Sequence, residues 1–374
     1  MHSDVHDITI VDNHIHDTGT NTSDGGNGGQ AFTAGGFTAQ SATTGVYHLL
    51  LRHNLVHDTK GQEGDCMKFM YGVYASVMED NVAYNCPRGV SQMENYGLTS
   101  YGSGVGHADK AADDNILRRN LLANTRGKDA TENNVAIYAG PGTTVENNLI
   151  IAANVGITAR LEDEVPQMRN LRVVHNTVYG VTDHAFSIRG CQDSDATVVV
   201  SNNVFVVVDP NAFGYRAPDP VGGMVFVANY FTGMDYAEAS APAVQAITQP
   251  LADVFVSPNE ALDQADFMPA MGSVLVDAAD PATSSADDFD LAARSVGQAD
   301  VGAYERRTRE GHEAVELLMF IHPHAIVGGV GAASAGRPQW LLGLPAVSPQ
   351  SLFGRTLTIT SEPPSAWNEQ WRAT

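Results

Sequence analysis

The sequence has few basic residues and few cysteines, and it contains no long apolar run. Its 374 residues include 21 Lys and Arg against 43 Asp and Glu, which gives a formal net charge of −22. A chain this acidic repels phosphate backbones and anionic lipids, so we expect no nucleic acid or membrane surface as a partner. No apolar stretch approaches the roughly 20 residues that a transmembrane helix requires, so we expect no membrane span.

The cysteines are Cys66, Cys86 and Cys191. Because an odd number cannot all pair within one chain, we interpret them as buried residues of the core. The shortage of Lys and Arg also excludes a broadly basic groove. Any acidic polysaccharide would therefore need a local cluster of basic side chains.

An asparagine recurs in one setting, after a short run of β-branched residues or leucine and before another apolar residue. The recurring positions are Asn13, Asn54, Asn81, Asn120, Asn148, Asn176, Asn203 and Asn229. Successive spacings are 41, 27, 39, 28, 28, 27 and 26 residues. A period near 27, interrupted by two longer steps, is typical of a solenoid in which each repeat forms one coil.

Short runs of alternating apolar residues between these asparagines predict two or three strands in each coil, separated by Gly, Asn and Asp turns. No stretch is long enough for a crossover helix. The sequence therefore predicts an all-β fold, a right-handed parallel β-helix with an irregular C-terminal extension. An inward asparagine can bond the coils above and below it and the turn backbone, so we interpret the asparagine row as structural.

The domain organisation follows from the repeat. We expect coils over residues 1–231, final coils and a closing segment over residues 232–305, and a tail of unknown role over residues 306–374, with irregular structure between 232 and 270. The chain begins inside a repeat with no visible cap on its first coil. We therefore expect that N-terminal coils are missing and that the lack of an export signal says little about location.

The end of the repeat region carries a second pattern. Residues 271–278 read MGSVLVDA and residues 300–305 read DVGAYE. Together with the coils, this pattern resembles the secreted bacterial right-handed parallel β-helix proteins of the pectate-lyase-like superfamily, whose closing segments often end in a DIGAYE-type motif. The resemblance covers roughly residues 5–305. It implies an exported protein, secreted or at the cell surface, and it is nearly silent on activity.

Aligning the coils on their asparagines predicts which side chains share a face. The inward residues are Met67, Phe69, Ile137, Ile157, Phe186 and Ile188. One outward row is Lys68, Ser91, Tyr138, Thr158 and Ser187, and the other is Met70, Met93, Gly140, Arg160 and Arg189.

Lys68 is an isolated basic residue on an otherwise uncharged strand face. Many proteins of the resembled group are polysaccharide lyases, which remove the C5 proton of a uronic acid, pass through an enolate-like anion and expel the 4-linked sugar. A Lys or Arg can be the base if it gives up its proton, and cations beside the carboxylate stabilise the anion. The resemblance therefore implies Lys68 as the base; otherwise Lys68 is a solvated strand residue.

Further roles follow from the same resemblance. Glu63 and Asp65 would be calcium ligands, and Arg160 and Arg189 would hold uronates of neighbouring sugars. The position aligned with Asp65 in the next coil is Arg88, which either pairs with Asp65 or stabilises the substrate carboxylate. Tyr138 is either the proton donor to the leaving oxygen or a stacking platform for a sugar. We add Ser91 to the substrate-binding residues.

Histidines form another row. His16, His57 and Tyr84 follow their asparagines at equal offsets, so they stack if no coil intervenes, with His14 and His53 close by. A patch of this kind can bind a transition metal, supply a base or simply stack at a turn. We place His57 among the substrate-binding residues.

The leading hypothesis is an exported polysaccharide lyase that acts as a monomer on a uronate-containing polymer. A β-helix glycoside hydrolase needs paired carboxylates flanking the scissile bond, which the outward rows do not supply. A uronate epimerase shares the proton abstraction. A noncatalytic carbohydrate-binding or cell-surface adhesion protein is the alternative from a different class.

Overall fold

A computed structural model of the chain shows the right-handed parallel β-helix that the asparagine period predicts. The described residues are 5–18, 29, 31–35, 46–60, 64–70, 73–93, 114–126, 134–140, 142–159, 170–188, 198–217, 224–237, 245–295 and 298–306. Successive coils add strands to three parallel sheets, which we call A, B and C, and the strands are numbered β1 to β28 in chain order. The tail over residues 307–374 lies outside the described residues.

Within each coil the chain passes through sheets A, B and C in that order. Sheet A contains β1 (Val5–Val11), β4 (Val46–Arg52), β7 (Val73–Tyr74), β8 (Val77–Glu79), β11 (Asn115–Arg118), β14 (Thr143–Glu146), β17 (Leu171–Val174), β20 (Val198–Ser201) and β23 (Met224–Val227). Sheet B contains β2 (His14–His16), β5 (Leu55–His57), β9 (Val82–Tyr84), β12 (Leu121–Thr125), β15 (Leu149–Ala153), β18 (Thr177–Val181), β21 (Val204–Val207), β24 (Tyr230–Phe231) and β26 (Gln245–Ala246). Sheet C contains β3 (Phe32–Gly35), β6 (Asp65–Met70), β10 (Arg88–Met93), β13 (Val135–Ala139), β16 (Val155–Ala159), β19 (His184–Ile188), β22 (Phe213–Ala217) and β25 (Met234–Ala237).

The two longer asparagine steps are each a single coil. Strands β1, β2 and β3 pair directly with β4, β5 and β6, and β9 pairs directly with β12. The additional residues therefore lie in the connections, most of which fall outside the described residues. Within the described ranges, no helix is long and apolar enough to cross a membrane.

The asparagine ladder joins the coils at the corner between sheets A and B. At each step the Oδ1 atom of one asparagine accepts from the backbone N–H and the side-chain amide of the asparagine in the preceding coil; between Asn54 and Asn81 these distances are 2.9 and 3.0 Å. The Asn81 amide also donates to the Leu51 carbonyl at 2.9 Å. The predicted role of the asparagine row is thereby confirmed.

The residue before each ladder asparagine turns the chain from sheet A to sheet B. Asp12, Asp80, Arg119 and His175 all have φ between 51° and 57°. A non-glycine residue in this left-handed region costs roughly 1–2 kcal/mol, and the hydrogen bonds of the ladder offset that cost at every coil. This corner is therefore defined by backbone geometry and by the asparagine, and it tolerates a varied residue before it.

The corner also carries a network of ion pairs. The Arg119 guanidinium donates to Asp80 Oδ1 at 2.7 Å and to Glu79 Oε2 at 3.0 Å, and Arg118 Nε lies 2.7 Å from the same Glu79 oxygen. Arg52 Nε joins from the preceding coil, 3.2 Å from Asp80 Oδ2. Because the Asp80 side chain is inaccessible to solvent, its charge depends on these partners.

A segment after the last coil folds back over the same corner; we call residues 247–306 the closing segment. It contains a short helix α1 (Leu251–Val254) and an antiparallel pair, β27 (Phe255–Ser257) with β28 (Asp266–Pro269). Its later part bonds back to the ladder turns: Asp280 N–H donates to Asn202 Oδ1 at 2.7 Å, and Arg294 donates to Asn147 Oδ1 at 2.8 Å. Because β25 to β28 and α1 lie within 232–270, the expectation of irregular structure there is wrong in part.

Candidate functional site

The strand register of sheet C defines one continuous outward row. It confirms the predicted alignment of Lys68, Ser91, Tyr138, Thr158 and Ser187. The row also takes in Thr33 before Lys68 and Arg216 after Ser187. The six residues predicted to point inward are all fully buried in the core.

Lys68 is not a solvated strand residue. Its side chain is only 6% exposed, and Nζ lies 3.5 Å from Oδ2 of Asp65, which is fully buried. Arg88 is the Cα partner of Asp65 on the neighbouring strand, as the coil alignment predicts. Lys68 and Arg88 thus bring two basic residues to the strands on which Asp65 lies.

The row beyond Lys68 is polar and largely shielded from solvent. Tyr138 and Thr158 are each 7% exposed and Ser187 is 3% exposed. The Thr158 and Ser187 hydroxyls lie 3.0 Å apart, so one donates to the other. A sugar could contact these side chains only after some local rearrangement.

A disulfide lies beside this group. Cys66, which follows Asp65, is bonded to Cys86, and their Cα atoms are 5.8 Å apart. Both residues are buried, as predicted, but the odd number of cysteines did not predict their pairing. Cys66 lies in β6 of sheet C, and Cys86 lies between β9 and β10 in the next coil.

His57 lies on a different sheet from the Lys68 row. It is in β5 of sheet B, in register with His16 and Tyr84. The ring of His57 stacks on Tyr84 with centroids 4.6 Å apart and on His16 at 5.3 Å. The predicted stack is therefore confirmed, but the structure does not bring His57 to the outward row of sheet C.

Polar contacts hold this histidine group. His57 Nδ1 lies 2.6 Å from Asp58 Oδ2, and His16 Nδ1 lies 2.9 Å from Asp17 Oδ2. The hydrogen bond from His16 lowers the pKa of the Asp17 carboxyl, outweighing the opposing effect of burial. His14 also belongs to this group, since its Nε2 lies 2.7 Å from Nε2 of His57.

Some predicted site residues lie outside the described part of the chain. They are Glu63, Arg160 and Arg189, together with the side chain of Ser91. Arg160 and Arg189 directly follow β16 and β19, which are three and four strands along sheet C from β6. Their predicted roles as uronate clamps remain predictions.

The predicted calcium site lies only partly within the described residues, which include Asp65 but not Glu63. Calcium takes roughly six to eight oxygen ligands, whereas Asp65 is a single carboxylate beside the Lys68 ammonium group. Across the described ranges, no group of three or more His, Cys, Asp or Glu side chains is placed to hold a metal ion. Calcium binding by Glu63 and Asp65 remains a prediction.

Comparison with known proteins does not assign the chain to a family. No protein-family model matches the chain, and no curated protein matches it significantly. The basis for a functional proposal is therefore the fold and the chemistry of the residues on it.

Proposed function

We propose that the protein is an exported carbohydrate-active protein of the pectate-lyase-like superfamily that cleaves a uronate-containing polysaccharide by β-elimination on the outer face of sheet C. The observation that carries the proposal is the position of Lys68 in the polar row of sheet C, with its Nζ 3.5 Å from Asp65 Oδ2 and with Arg88 opposite Asp65 on the neighbouring strand. In a chain of net charge −22, Lys68 and Arg88 supply the basic groups for binding an anionic sugar.

The roles follow from the chemistry of each group. Arg88 has five N–H donors in a planar fork, so it can hold both Asp65 and the carboxylate of a uronate. Lys68 takes the C5 proton after giving up its own proton. The electron pair of the C–H bond then forms the C4=C5 double bond while the C4–O bond breaks, and the Tyr138 hydroxyl gives its proton to the leaving oxygen.

The spacing of the row suits a linear polymer. Neighbouring strands of a sheet lie roughly 4.8 Å apart, so the row offers polar side chains at short, regular intervals along the solenoid axis. Arg160 and Arg189 would contact carboxylates of sugars away from the cleavage point. The Cys66–Cys86 disulfide supports export, because disulfides persist in oxidising compartments.

A second candidate is a noncatalytic carbohydrate-binding or adhesion protein. The burial of Lys68 and Tyr138 favours it, because a base that solvent hardly reaches has little access to a polymer. A glycoside hydrolase is less well supported, since the residues in register along the sheet C row do not include two carboxylates.

The test is a turnover assay on pectate, alginate and glycosaminoglycans, with and without Ca²⁺. A lyase produces an unsaturated uronate that absorbs in the ultraviolet. We expect Lys68→Ala to abolish this signal and Tyr138→Phe to reduce it, while Lys60→Ala, which changes an exposed lysine in the connection after β5, leaves it unchanged. Reducing ends without absorbance would support the hydrolase, and altered uronate stereochemistry without cleavage would support an epimerase. Neither signal, with polymer still bound, would support the binding protein and overturn the lyase.

A further inference from the structure

Two histidines on sheet B are in contact across neighbouring coils. His14 lies in β2 and His57 in β5, and their Nε2 atoms are 2.7 Å apart. The ring centroids are 4.9 Å apart and the rings are tilted by 36°. The two imidazoles therefore meet through their Nε2 atoms and not through their faces.

The other ring nitrogen of His57, Nδ1, already has a hydrogen-bond partner. Its Nδ1 lies 2.6 Å from Asp58 Oδ2, and Asp58 Oδ1 in turn accepts from the Asn85 amide at 2.9 Å. A carboxylate can only accept, so Nδ1 of the neutral ring carries the proton and Nε2 carries the lone pair. A histidine bonded to a carboxylate in this way is oriented and made more basic for metal binding.

We infer that His14 and His57 form a binding site for one divalent transition-metal ion, with water completing the coordination. Imidazole nitrogen suits Cu²⁺, Ni²⁺ and Zn²⁺. Two metal–nitrogen bonds of about 2.0–2.1 Å at a tetrahedral angle place the nitrogens about 3.4 Å apart. The exposed His14 ring therefore has to shift by only about 0.7 Å to admit an ion.

The surrounding charges favour a cation. Asp17 and Asp58 contribute two negative charges, and Lys60 contributes one positive charge with its Nζ 3.6 Å from Asp17 Oδ1. Without an ion the two Nε2 atoms can share only one proton, because two facing N–H groups at this distance would repel each other. A metal ion removes that conflict by accepting from both lone pairs. The inference does not depend on the lyase proposal, because the pair lies on sheet B.

The test is calorimetric titration of the full chain, without an added histidine tag, using Cu²⁺, Ni²⁺ and Zn²⁺ in turn. We expect one ion per chain, with Cu²⁺ bound more tightly than Ni²⁺ or Zn²⁺. The electron paramagnetic resonance spectrum of the Cu²⁺ complex should show coupling to imidazole nitrogen. His57→Gln and His14→Gln should each weaken Cu²⁺ binding by about tenfold or more.

The matched control is His6→Gln on sheet A. His6 also bonds through Nδ1 to the next residue, with 2.8 Å to Asp7 Oδ2, so this variant tests whether any His–Asp pair suffices. We expect His6→Gln to bind Cu²⁺ like the unmodified protein. If His57→Gln does not fold, the exposed His14→Gln variant still decides the question. Absence of binding to the unmodified protein, or equal binding after His14→Gln, overturns the inference.

Discussion

Asn148 and Asn176 are joined by a double contact across neighbouring coils. The Oδ1 atom of Asn176 accepts from the backbone N–H of Asn148 at 3.0 Å and from its side-chain amide at 2.9 Å. The Asn176 amide donates in turn to the Val145 carbonyl at 2.9 Å. Both asparagines are fully buried, so each donor depends on the partner that the neighbouring coil provides.

Replacing Asn176 with alanine should therefore strongly destabilise the β-helix. The change leaves two donors of Asn148 buried without their acceptor, and each such group costs about 1–3 kcal/mol. We expect the free energy of unfolding, measured in urea, to fall by at least about 2 kcal/mol. The control Asn211→Ala changes an exposed asparagine in a turn and should stay within about 0.5 kcal/mol. Equal effects of the two variants would show that the ladder contributes little.

The sequence predicts the coils because each coil repeats the same local structure. The left-handed turn, the asparagine and the alternating strand recur with the same chemistry, so equal offsets from the asparagine become direct neighbours. For this reason the inward residues of sheet C and the stack of His16, His57 and Tyr84 follow from the sequence alone.

Other features depend on contacts that no repeat specifies. The hydrogen bond from Arg294 to Asn147 spans 147 residues. The spacing of the asparagines does not indicate where the closing segment packs against the coils. Pairing of Lys68 with Asp65 and its burial depend on packing around one strand, so the sequence reveals the position of Lys68 and not its surroundings. The polar groups at Asp80 and at His57 include turn residues, Asp80 and Asp58, that the outward rows do not contain.

The disulfide gives a prediction that needs no assay of function. The sequence has 3 cysteines, and Cys66 is bonded to Cys86, so the denatured chain should titrate a single thiol, that of Cys191, without reductant. With reductant it should titrate all of them. Cys191→Ser should lower the count without reductant to zero, whereas a full count in untreated protein would contradict the pairing.

Loss of the same bond should lower stability. Cys66 and Cys86 are separated by 20 residues, and closing a loop of this size stabilises a folded chain by about 3 kcal/mol. We expect Cys86→Ser to reduce the free energy of unfolding by about that amount, compared with Cys191→Ser measured without reductant.

His175 should make stability depend on pH. Burial holds the pKa of His175 well below its ordinary value, and the charge of Arg294 lowers it further. As the pH falls below about 6.5, His175 is protonated in the unfolded chain but stays neutral in the folded protein. The contribution of this group is thus fully present above that pH and is lost as the pH falls towards the folded-state pKa, at up to about 1.4 kcal/mol per pH unit.

The variant that isolates this effect is His175→Asn. Asparagine tolerates the left-handed backbone at this position, where φ is 54°. Between about pH 6.5 and 5 its free energy of unfolding should decline less steeply than that of the unmodified protein. His6→Gln, on the exposed edge strand β1, should retain the full slope; parallel curves for the unmodified protein and His175→Asn would rule out His175 as the cause.

Arg294 should be the residue that fixes the closing segment to the coils. Its guanidinium is almost inaccessible and donates to the Gly302 carbonyl at 2.8 Å as well as to Asn147. Arg294→Gln removes the charge beside the buried Glu305 carboxylate, 3.5 Å away, so we expect a loss of about 3–5 kcal/mol and faster proteolysis within residues 277–306. Arg126→Gln breaks a half-exposed pair with Glu260 and should cost at most about 1 kcal/mol. Hydrogen exchange separates the two outcomes, because a closing segment fixed mainly by apolar packing would keep its protection in both variants.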